Sequence, residues 1–318
     1  MKGLELSRAY FEAYGRAMLE RDFNDISGEL CAGLFGSGSE CFGYDSDVSR
    51  DHDFDCSFCI FVSDDVDSKR FFDLERGYLK LPREFMGVRR ELLVPGGSKR
   101  RGVIRFSEFL LDKLGSPTVE LTPEQWLLLP SNSLAECVNG ELFYDPSGRF
   151  TKARAALRDM PDYAVRKRLA GSLALCFQAG QYNYDRCLAH SETGAARLAA
   201  FEFVKSYIAA AFLVNRAYAP YYKWCFRALR GLNVLGDTAA CLEEILCLPP
   251  ESSSGKVDDA DPCRALIDEC CRKMSSVLFE TGIVRSKGET DLDVLAREID
   301  RSIEREDVRN LHILFAAS

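Results

Sequence analysis

The 318-residue sequence predicts an α+β protein, in which an N-terminal part with strands and helices is followed by an all-α helical bundle. In the first half, short apolar runs are separated by glycine-rich and acidic turns, a pattern typical of strands. After residue 150 the apolar positions recur at helical spacing. Because strands come first and helices afterwards, we predict two domains, residues 1–150 and 151–318.

Composition and charge narrow the class of protein. The chain is 47% hydrophobic and 28% charged, as is usual for a globular protein. Its net charge of −8 disfavours general nucleic-acid binding, because phosphate backbones attract clustered lysine and arginine. No apolar run approaches the roughly 18 residues of a membrane span, and the N-terminal segment lacks the apolar core of a signal peptide. We therefore expect a cytoplasmic protein without membrane contacts.

Cysteine usage agrees with a reducing compartment. The 13 cysteines are an odd number and are scattered through apolar patterns, where they serve most simply as small buried hydrophobic residues. Cys56 and Cys59 have the spacing of half a zinc site. No second pair accompanies them at ligand spacing, so a zinc site is not expected.

The N-terminal elements begin with an amphipathic helix over residues 5–22 and an apolar strand over 30–35. A Gly/Ser turn and an acidic loop then lead to a second strand, which we place from about Asp51. Alternate side chains of a strand share a face. The apolar face would carry His52, Phe54, Cys56, Phe58, Ile60 and Val62. The opposite face would carry Asp51, Asp53 and Asp55.

These three carboxylates suggest a cation site. Like charges at two-residue spacing repel each other unless a positive group lies between them, and Mg²⁺ prefers such oxygen ligands. The preceding turn contains Gly36, Gly38 and Gly43, which let backbone N–H groups approach an anion. A surface hairpin with a solvated acidic end is the alternative.

Later segments complete the N-terminal part. A helix is predicted over residues 69–79, and a hairpin is predicted from apolar runs at 89–94 and 103–106. The basic run 98–101 would be a solvated loop tip, or else a guide for an anionic substrate.

In the second half we predict helices over residues 164–179, 194–217, 219–232, 238–247, 261–281 and 290–305. Two blocks stand out for their polar and aromatic residues. GQYNYDR begins at Gly180, and VNRAYAPYYKW runs from Val214 to Trp224. Pro220 would end or kink a helix and expose groups near the break.

The order Gly38-Ser39-x3-Gly43, an acidic loop and Asp-x-Asp on a strand resembles the signature of the nucleotidyltransferase superfamily, which includes polymerase-beta-like enzymes and kanamycin nucleotidyltransferase. The segments GSECFGYDSDVSRDHDF, GQYN and PYYKW are similar to those of an uncharacterised bacterial family within it, defined only as a domain of unknown function. The resemblance implies a nucleotidyltransferase-type mixed sheet with flanking helices in the N-terminal part.

The resemblance also implies where a nucleotide triphosphate binds. Gly38 and Ser39, with Ser37 beside them, would hold the triphosphate, and Arg50 would neutralise part of its charge. By analogy with kanamycin-type enzymes, the helical part would supply further contacts. By this analogy Lys223 would contact a phosphate group. Either Tyr182 or Arg186 would touch the acceptor, although packing roles for these side chains are an alternative.

The metal-binding and catalytic carboxylates follow from the same resemblance. Asp53 belongs to both possible Asp-x-Asp pairs, with either Asp51 or Asp55 as its partner, and the pair would hold one or two Mg²⁺ ions.

The superfamily usually places a third carboxylate on a later strand. Ile104 and Arg105 stand where that residue is expected, which leaves Glu91, Glu108 or Asp51 as candidates.

These features predict a Mg²⁺-dependent nucleotidyltransferase that moves a nucleoside monophosphate from a nucleotide triphosphate to an unknown small-molecule or protein acceptor. A catalytically degenerate protein that binds nucleotide or a partner is the alternative. Toxins and antitoxins of the minimal nucleotidyltransferase kind are generally smaller than this chain.

Overall fold

The computed structural model describes residues 1–50, 54–90, 101–248 and 261–317, with the backbone alone at positions 49 and 50. The chain divides into two compact units, one of Met1–Leu121 with Ser133–Asp159 and one of Thr122–Asn132 with Met160–Ser318. A small mixed sheet and many helices confirm the α+β class. A domain boundary at residue 150 stays a prediction.

The described strands are, in chain order, β1 (Leu30–Leu34), β2 (Cys59–Val62), β3 (Glu84–Phe85), β4 (Val88–Arg89), β5 (Gly102–Arg105) and β6 (Glu141–Tyr144). Four of them form one sheet in the order β5-β2-β1-β6, in which β1 is antiparallel to both neighbours and β5 is parallel to β2. The short strands β3 and β4 form a separate hairpin.

The helices of the first half are α1 (Gly3–Tyr10), α2 (Arg16–Asp22), α3 (Ser68–Leu79), α4 (Phe106–Leu114), α5 (Pro123–Leu128), α6 (Ser131–Val138) and α7 (Arg149–Arg158). A π-helical turn, Phe11–Gly15, joins α1 to α2, so the predicted helix over 5–22 is confirmed as one continuous segment. The predicted helix over 69–79 is α3.

Both faces of the four-stranded sheet are buried. One face packs against α1 to α3 through alternate residues of the β2 segment, namely Cys56, Phe58, Ile60 and Val62. On the other face Phe61 stacks on Phe35, with ring centroids 4.2 Å apart, and meets Phe109 edge-on at 5.3 Å. The prediction that alternate apolar residues share one face is therefore confirmed for the described positions. The opposite face of β2 carries the aromatic side chain of Phe61.

One prediction about the strands is wrong. The second strand begins at Cys59, because residues 54–58 form no strand pairing; positions 51–53 lie outside the described residues. The predicted hairpin of 89–94 with 103–106 stays a prediction, because residues 91–100 lie outside the described residues. Arg89 belongs to a hairpin of β3 with β4, whose two-residue turn has positive φ at Met86 and Gly87, as tight hairpins require. The later run forms β5, which pairs with β2.

The helices of the second half are α8 (Asp162–Cys176), α9 (Tyr184–Ala189), α10 (Thr193–Val214), α11 (Tyr222–Leu229), α12 (Ala239–Cys247), α13 (Pro262–Glu280), α14 (Leu292–Arg301) and α15 (Glu306–Arg309). A π-helical turn, Phe177–Asn183, links α8 to α9. The predicted helices are confirmed with ends shifted by a few residues, and α11 starts after Pro220 because proline cannot continue a helix.

In the second unit α8 packs against both α10 and α14. Lys167 of α8 is fully buried, and its ammonium donates to Asp300 Oδ1 at 2.8 Å and to the carbonyl oxygen of Leu311 at 2.6 Å. These bonds join α8 to α14 and to the segment around Leu311. None of the helices in the described ranges combines the length and apolar composition needed to cross a bilayer.

Candidate functional site

Three segments meet at one edge of the four-stranded sheet. In the strand register Gly33 of β1 is opposite Cys59 of β2, and Cys59 is opposite Gly102 of β5. Because β1 runs antiparallel to β2 and β5 runs parallel to it, this edge holds the end of β1 and the starts of β2 and β5. The Gly/Ser turn, the stretch before β2 and the residue before β5 therefore lie close together.

The Gly/Ser turn has a fixed conformation. Gly36 N–H donates to Asn139 Oδ1 at 2.9 Å, and the Asn139 amide donates back to the carbonyl oxygen of Gly36 at 2.8 Å. Ser39 begins a 3₁₀ turn, and its carbonyl oxygen accepts from Phe42 N–H and Tyr44 N–H. Gly38 has φ of +130°, a value that L side chains rarely adopt, so glycine is required there.

A lysine lies beside this turn. Lys113 Nζ, on α4, donates to Ser37 Oγ at 3.1 Å and lies 2.8 Å from Glu136 Oε2. The Ser37 hydroxyl donates to the same Glu136 oxygen at 2.7 Å. Burial acts to lower the pKa of Lys113, but the bonds to Glu136 and Asp112 outweigh it, and the pKa is raised. The sequence gives little indication that Lys113 lies at this turn, because a single lysine near a helix end is common.

A second charged cluster lies at the start of β2 and β5. Arg101, directly before β5, forms a close ion pair with Glu40, and its Nε lies 3.8 Å from Asp55 Oδ1. All three side chains are largely buried. The prediction of a solvated loop tip is therefore wrong for Arg101, whose partners come from segments distant in sequence. Residues 98–100 lie outside the described residues.

Asp55 is poorly suited to ligate a metal. Its Oδ1 accepts from Ser57 N–H at 2.7 Å, and its Oδ2 accepts from the Ser57 hydroxyl at 2.8 Å. The Arg101 guanidinium beside it supplies the positive charge that a bound cation would otherwise provide. Asp55 thus organises the turn into β2.

The predicted ligands Asp51 and Asp53, together with His52, lie outside the described residues. Arg50 ends the 3₁₀ turn Asp47–Arg50, for which the backbone alone is described at that position. Within the described ranges, no three His, Cys, Asp or Glu side chains are grouped so that they would hold a metal ion.

Of the candidates for a third carboxylate, Glu108 is in the described part of the chain, whereas Asp51 is outside it. Glu108 is exposed near the start of α4, beyond the far end of β5, and Glu91 lies outside the described residues. Ile104 is buried. Arg105 donates to the carbonyl oxygens of two residues after β2, Ser63 at 2.8 Å and Val66 at 2.7 Å, so its role is structural.

The site residues predicted in the second unit, called the helical unit below, lie on its surface. The Arg186 guanidinium is 5.0 Å from the centre of the Tyr182 ring, and both side chains are exposed. Lys223 is exposed and its ammonium lies 5.2 Å from the Trp224 ring. Gln181, in the same GQYN block, bonds to the backbone at Thr290 and Leu292, and so holds the start of α14.

Comparison with known families gives a match over part of the chain. The sequence profile of a family described as "Domain of unknown function (DUF4037)" matches residues 126–225. This segment contains the GQYN and PYYKW blocks, and the predicted resemblance to a domain family of unknown function is confirmed for it. No curated protein matches the chain.

Proposed function

We propose that the chain is a Mg²⁺-dependent nucleotidyltransferase that transfers a nucleoside monophosphate from a nucleotide triphosphate to a small-molecule or protein acceptor. The observation that carries the proposal is the meeting of a Gly/Ser turn, Asp55 before β2 and a half-buried lysine at one sheet edge. Lys113 Nζ lies 3.1 Å from Ser37 Oγ. An ammonium group therefore lies beside the turn that, by the resemblance, binds the triphosphate.

The turn has donors available for an anion. Neither Gly38 N–H nor Ser39 N–H bonds to another group in the described part of the chain. Two consecutive N–H groups beside an ammonium ion form a suitable site for phosphate oxygens. In this proposal the backbone orients the triphosphate, and Lys113, which also pairs with Glu136, donates a hydrogen bond to a phosphate oxygen. Such a charge-assisted bond is stronger than a neutral one.

Asp51 and Asp53 are the proposed metal ligands. Mg²⁺ bound there would neutralise charge on the phosphates and act as a Lewis acid. Asp55 and Arg101 would hold the start of β2 in place, and thereby the loop that carries the two ligands.

Nucleotide binding without transfer is the second candidate. It is favoured by the absence of an acidic residue from β5, where Ile104 and Arg105 occupy the expected position. A nucleotide-binding protein with a partner would keep the Gly/Ser turn and Lys113 but would need no third carboxylate.

The test is calorimetric titration with each of the four ribonucleoside triphosphates, with and without Mg²⁺. We expect Mg²⁺-dependent binding that Asp53→Asn abolishes and that the matched variant Asp159→Asn, at an exposed carboxylate of the same unit, retains. Folding of both variants is checked by circular dichroism. Binding by Asp53→Asn as tight as that of the wild type would refute the metal assignment.

Transfer is tested separately, with triphosphate labelled at the α-phosphate and a panel of small-molecule and protein acceptors. Label that becomes attached to an acceptor supports the transferase. Tight binding without transfer to any acceptor in the panel favours the second candidate.

A further inference from the structure

The helical unit contains a cavity of about 510 Å³ between α8, α10, α11 and residues 128–132. This volume is within the range of roughly 300–1,000 Å³ that small-molecule sites occupy. The hydrogen bond from Ala219 N–H to Ser131 Oγ, at 2.7 Å, holds the segment around Pro220 in the cavity wall. The lining is mostly apolar and includes Leu128, Val204, Ile208, Phe212, Pro220 and Phe226.

A guanidinium group is buried in this apolar wall. Arg168 lines the cavity and is only 5% exposed. Its Nη1 donates to the carbonyl oxygens of Trp126 at 3.2 Å and Leu129 at 2.8 Å. Within the described ranges, its Nε and Nη2 make no hydrogen bond, and no carboxylate forms an ion pair with it. A buried charge without a counter-ion is costly, so this arrangement points to an anion that is supplied from outside.

A second polar group lies one helical turn away. Ser172 follows Arg168 by four residues on α8, and residues at this spacing share a helix face. It lines the same cavity and is 5% exposed. Its hydroxyl has no hydrogen-bond partner among the described residues. The cavity thus combines a guanidinium with free donors, a free hydroxyl and a large apolar surface.

We propose that this cavity binds a small organic acid, whose carboxylate pairs with Arg168 and whose apolar body fills the space between α8, α10 and α11. The planar guanidinium suits a carboxylate because two N–H groups can donate to its two oxygens. The Ser172 hydroxyl would donate to the same carboxylate. The other lysine at the cavity, Lys205, is 64% exposed and lies 3.6 Å from Glu202. Its charge is therefore solvated and already paired.

This proposal does not depend on nucleotide transfer. It rests on residues of the helical unit alone, and it would hold for an enzyme as well as for a binding protein.

The test compares two ligands of equal chain length, decanoate and 1-decanol, with the full-length protein. Binding is followed by tryptophan fluorescence and calorimetry. We expect decanoate to bind at least about tenfold more tightly than 1-decanol, because only decanoate pairs with the guanidinium. Equal affinities, or no binding of either ligand, would overturn the proposal.

Two variants separate charge from volume. Arg168→Gln should lose the preference for decanoate while still binding 1-decanol, which shows that the cavity is intact. Ser172→Leu should weaken the binding of both ligands, because the larger side chain occupies part of the cavity. A retained preference in Arg168→Gln would refute the role of the guanidinium. Arg168→Gln removes the donor of two carbonyl oxygens and so could prevent folding. In that case the proposal is tested by the preference of the wild type for decanoate and by the loss of binding in Ser172→Leu.

Discussion

The ammonium of Lys113 lies 3.1 Å from the hydroxyl of Ser37, although 75 residues separate them in the sequence. The strand β5 carries the chain away from the sheet edge, and α4 returns it, so that Lys113 near the end of α4 reaches the turn after β1. Glu136 holds both groups. This three-residue contact places an ammonium group, paired with Glu136, beside the proposed triphosphate site, and no local motif encodes it.

Replacement of Lys113 by methionine should weaken binding of nucleotide triphosphate by about tenfold, the effect of losing one charge-assisted hydrogen bond to phosphate. Calorimetric titration in the presence of Mg²⁺ measures the change. Lys80→Met is the matched control, because Lys80 is an exposed lysine in the same unit. Equal losses in the two variants would mean that Lys113 has no specific role.

The charge state of Lys113 predicts the pH dependence of this binding. Its pKa is raised above the usual value for lysine, so the cation is present below that pKa and is lost only as the pH rises through it. Between about pH 7.5 and about pH 9.5 the contribution of Lys113 should therefore be constant. We expect the ratio of wild-type to Lys113→Met affinity to stay unchanged across this window. A ratio that falls toward one would contradict the predicted charge state.

Replacement of Gly38 by alanine should destabilise the protein by about 2 kcal/mol. The added Cβ would overlap Glu40 Oε1, and the φ of +130° disfavours any L side chain. Arg101 pairs with Glu40 and limits its ability to move away. Urea denaturation measures the free energy of unfolding. Gly28→Ala is the control, because nothing lies within 4 Å of its added Cβ. Similar stabilities for the two variants would show that the turn is not restrained.

Helix positions were predictable from the sequence because apolar spacing reports directly which face of a helix is buried. The predicted helix over 194–217 is α10, Thr193–Val214. The start of β2 was not predictable in the same way. Alternation of apolar and polar residues continues through the stretch before Cys59, where Asp55 closes a turn with Ser57 and pairing has not begun.

The partners of the charged residues were the least predictable part of the candidate site. The basic run 98–101 predicts a loop tip for Arg101, whereas the side chain is largely buried beside Glu40 and Asp55. Such pairs depend on strand register and on the path of α4, which short sequence motifs do not specify. The Gly/Ser turn was recognisable because its glycine at position 38 meets a local backbone requirement.

Replacement of Lys167 by methionine should destabilise the protein by about 3 kcal/mol, because Asp300 would remain without its partner. The carbonyl oxygen of Leu311 would also lose a donor. Denaturation by guanidinium chloride measures the effect. Lys205→Met is the control, since the exposed pair of Lys205 with Glu202 contributes little. Adding Asp300→Leu to Lys167→Met should recover part of the loss, and a purely additive double variant would contradict the coupling.

The reactivity of the cysteines should follow burial. All 13 thiols are free, and Cys247 is exposed. Burial raises the pKa of Cys56 to about 11 and that of Cys137 to about 12, so both stay protonated and unreactive near neutral pH. In the native protein a thiol-specific chromogenic disulfide should react fastest at Cys247, and Cys247→Ser should remove this fast phase. Unfolding without a reductant should release 13 reactive thiols. A smaller number would reveal a disulfide bond, whereas rapid reaction at Cys56 in the native state would show that the sheet core opens.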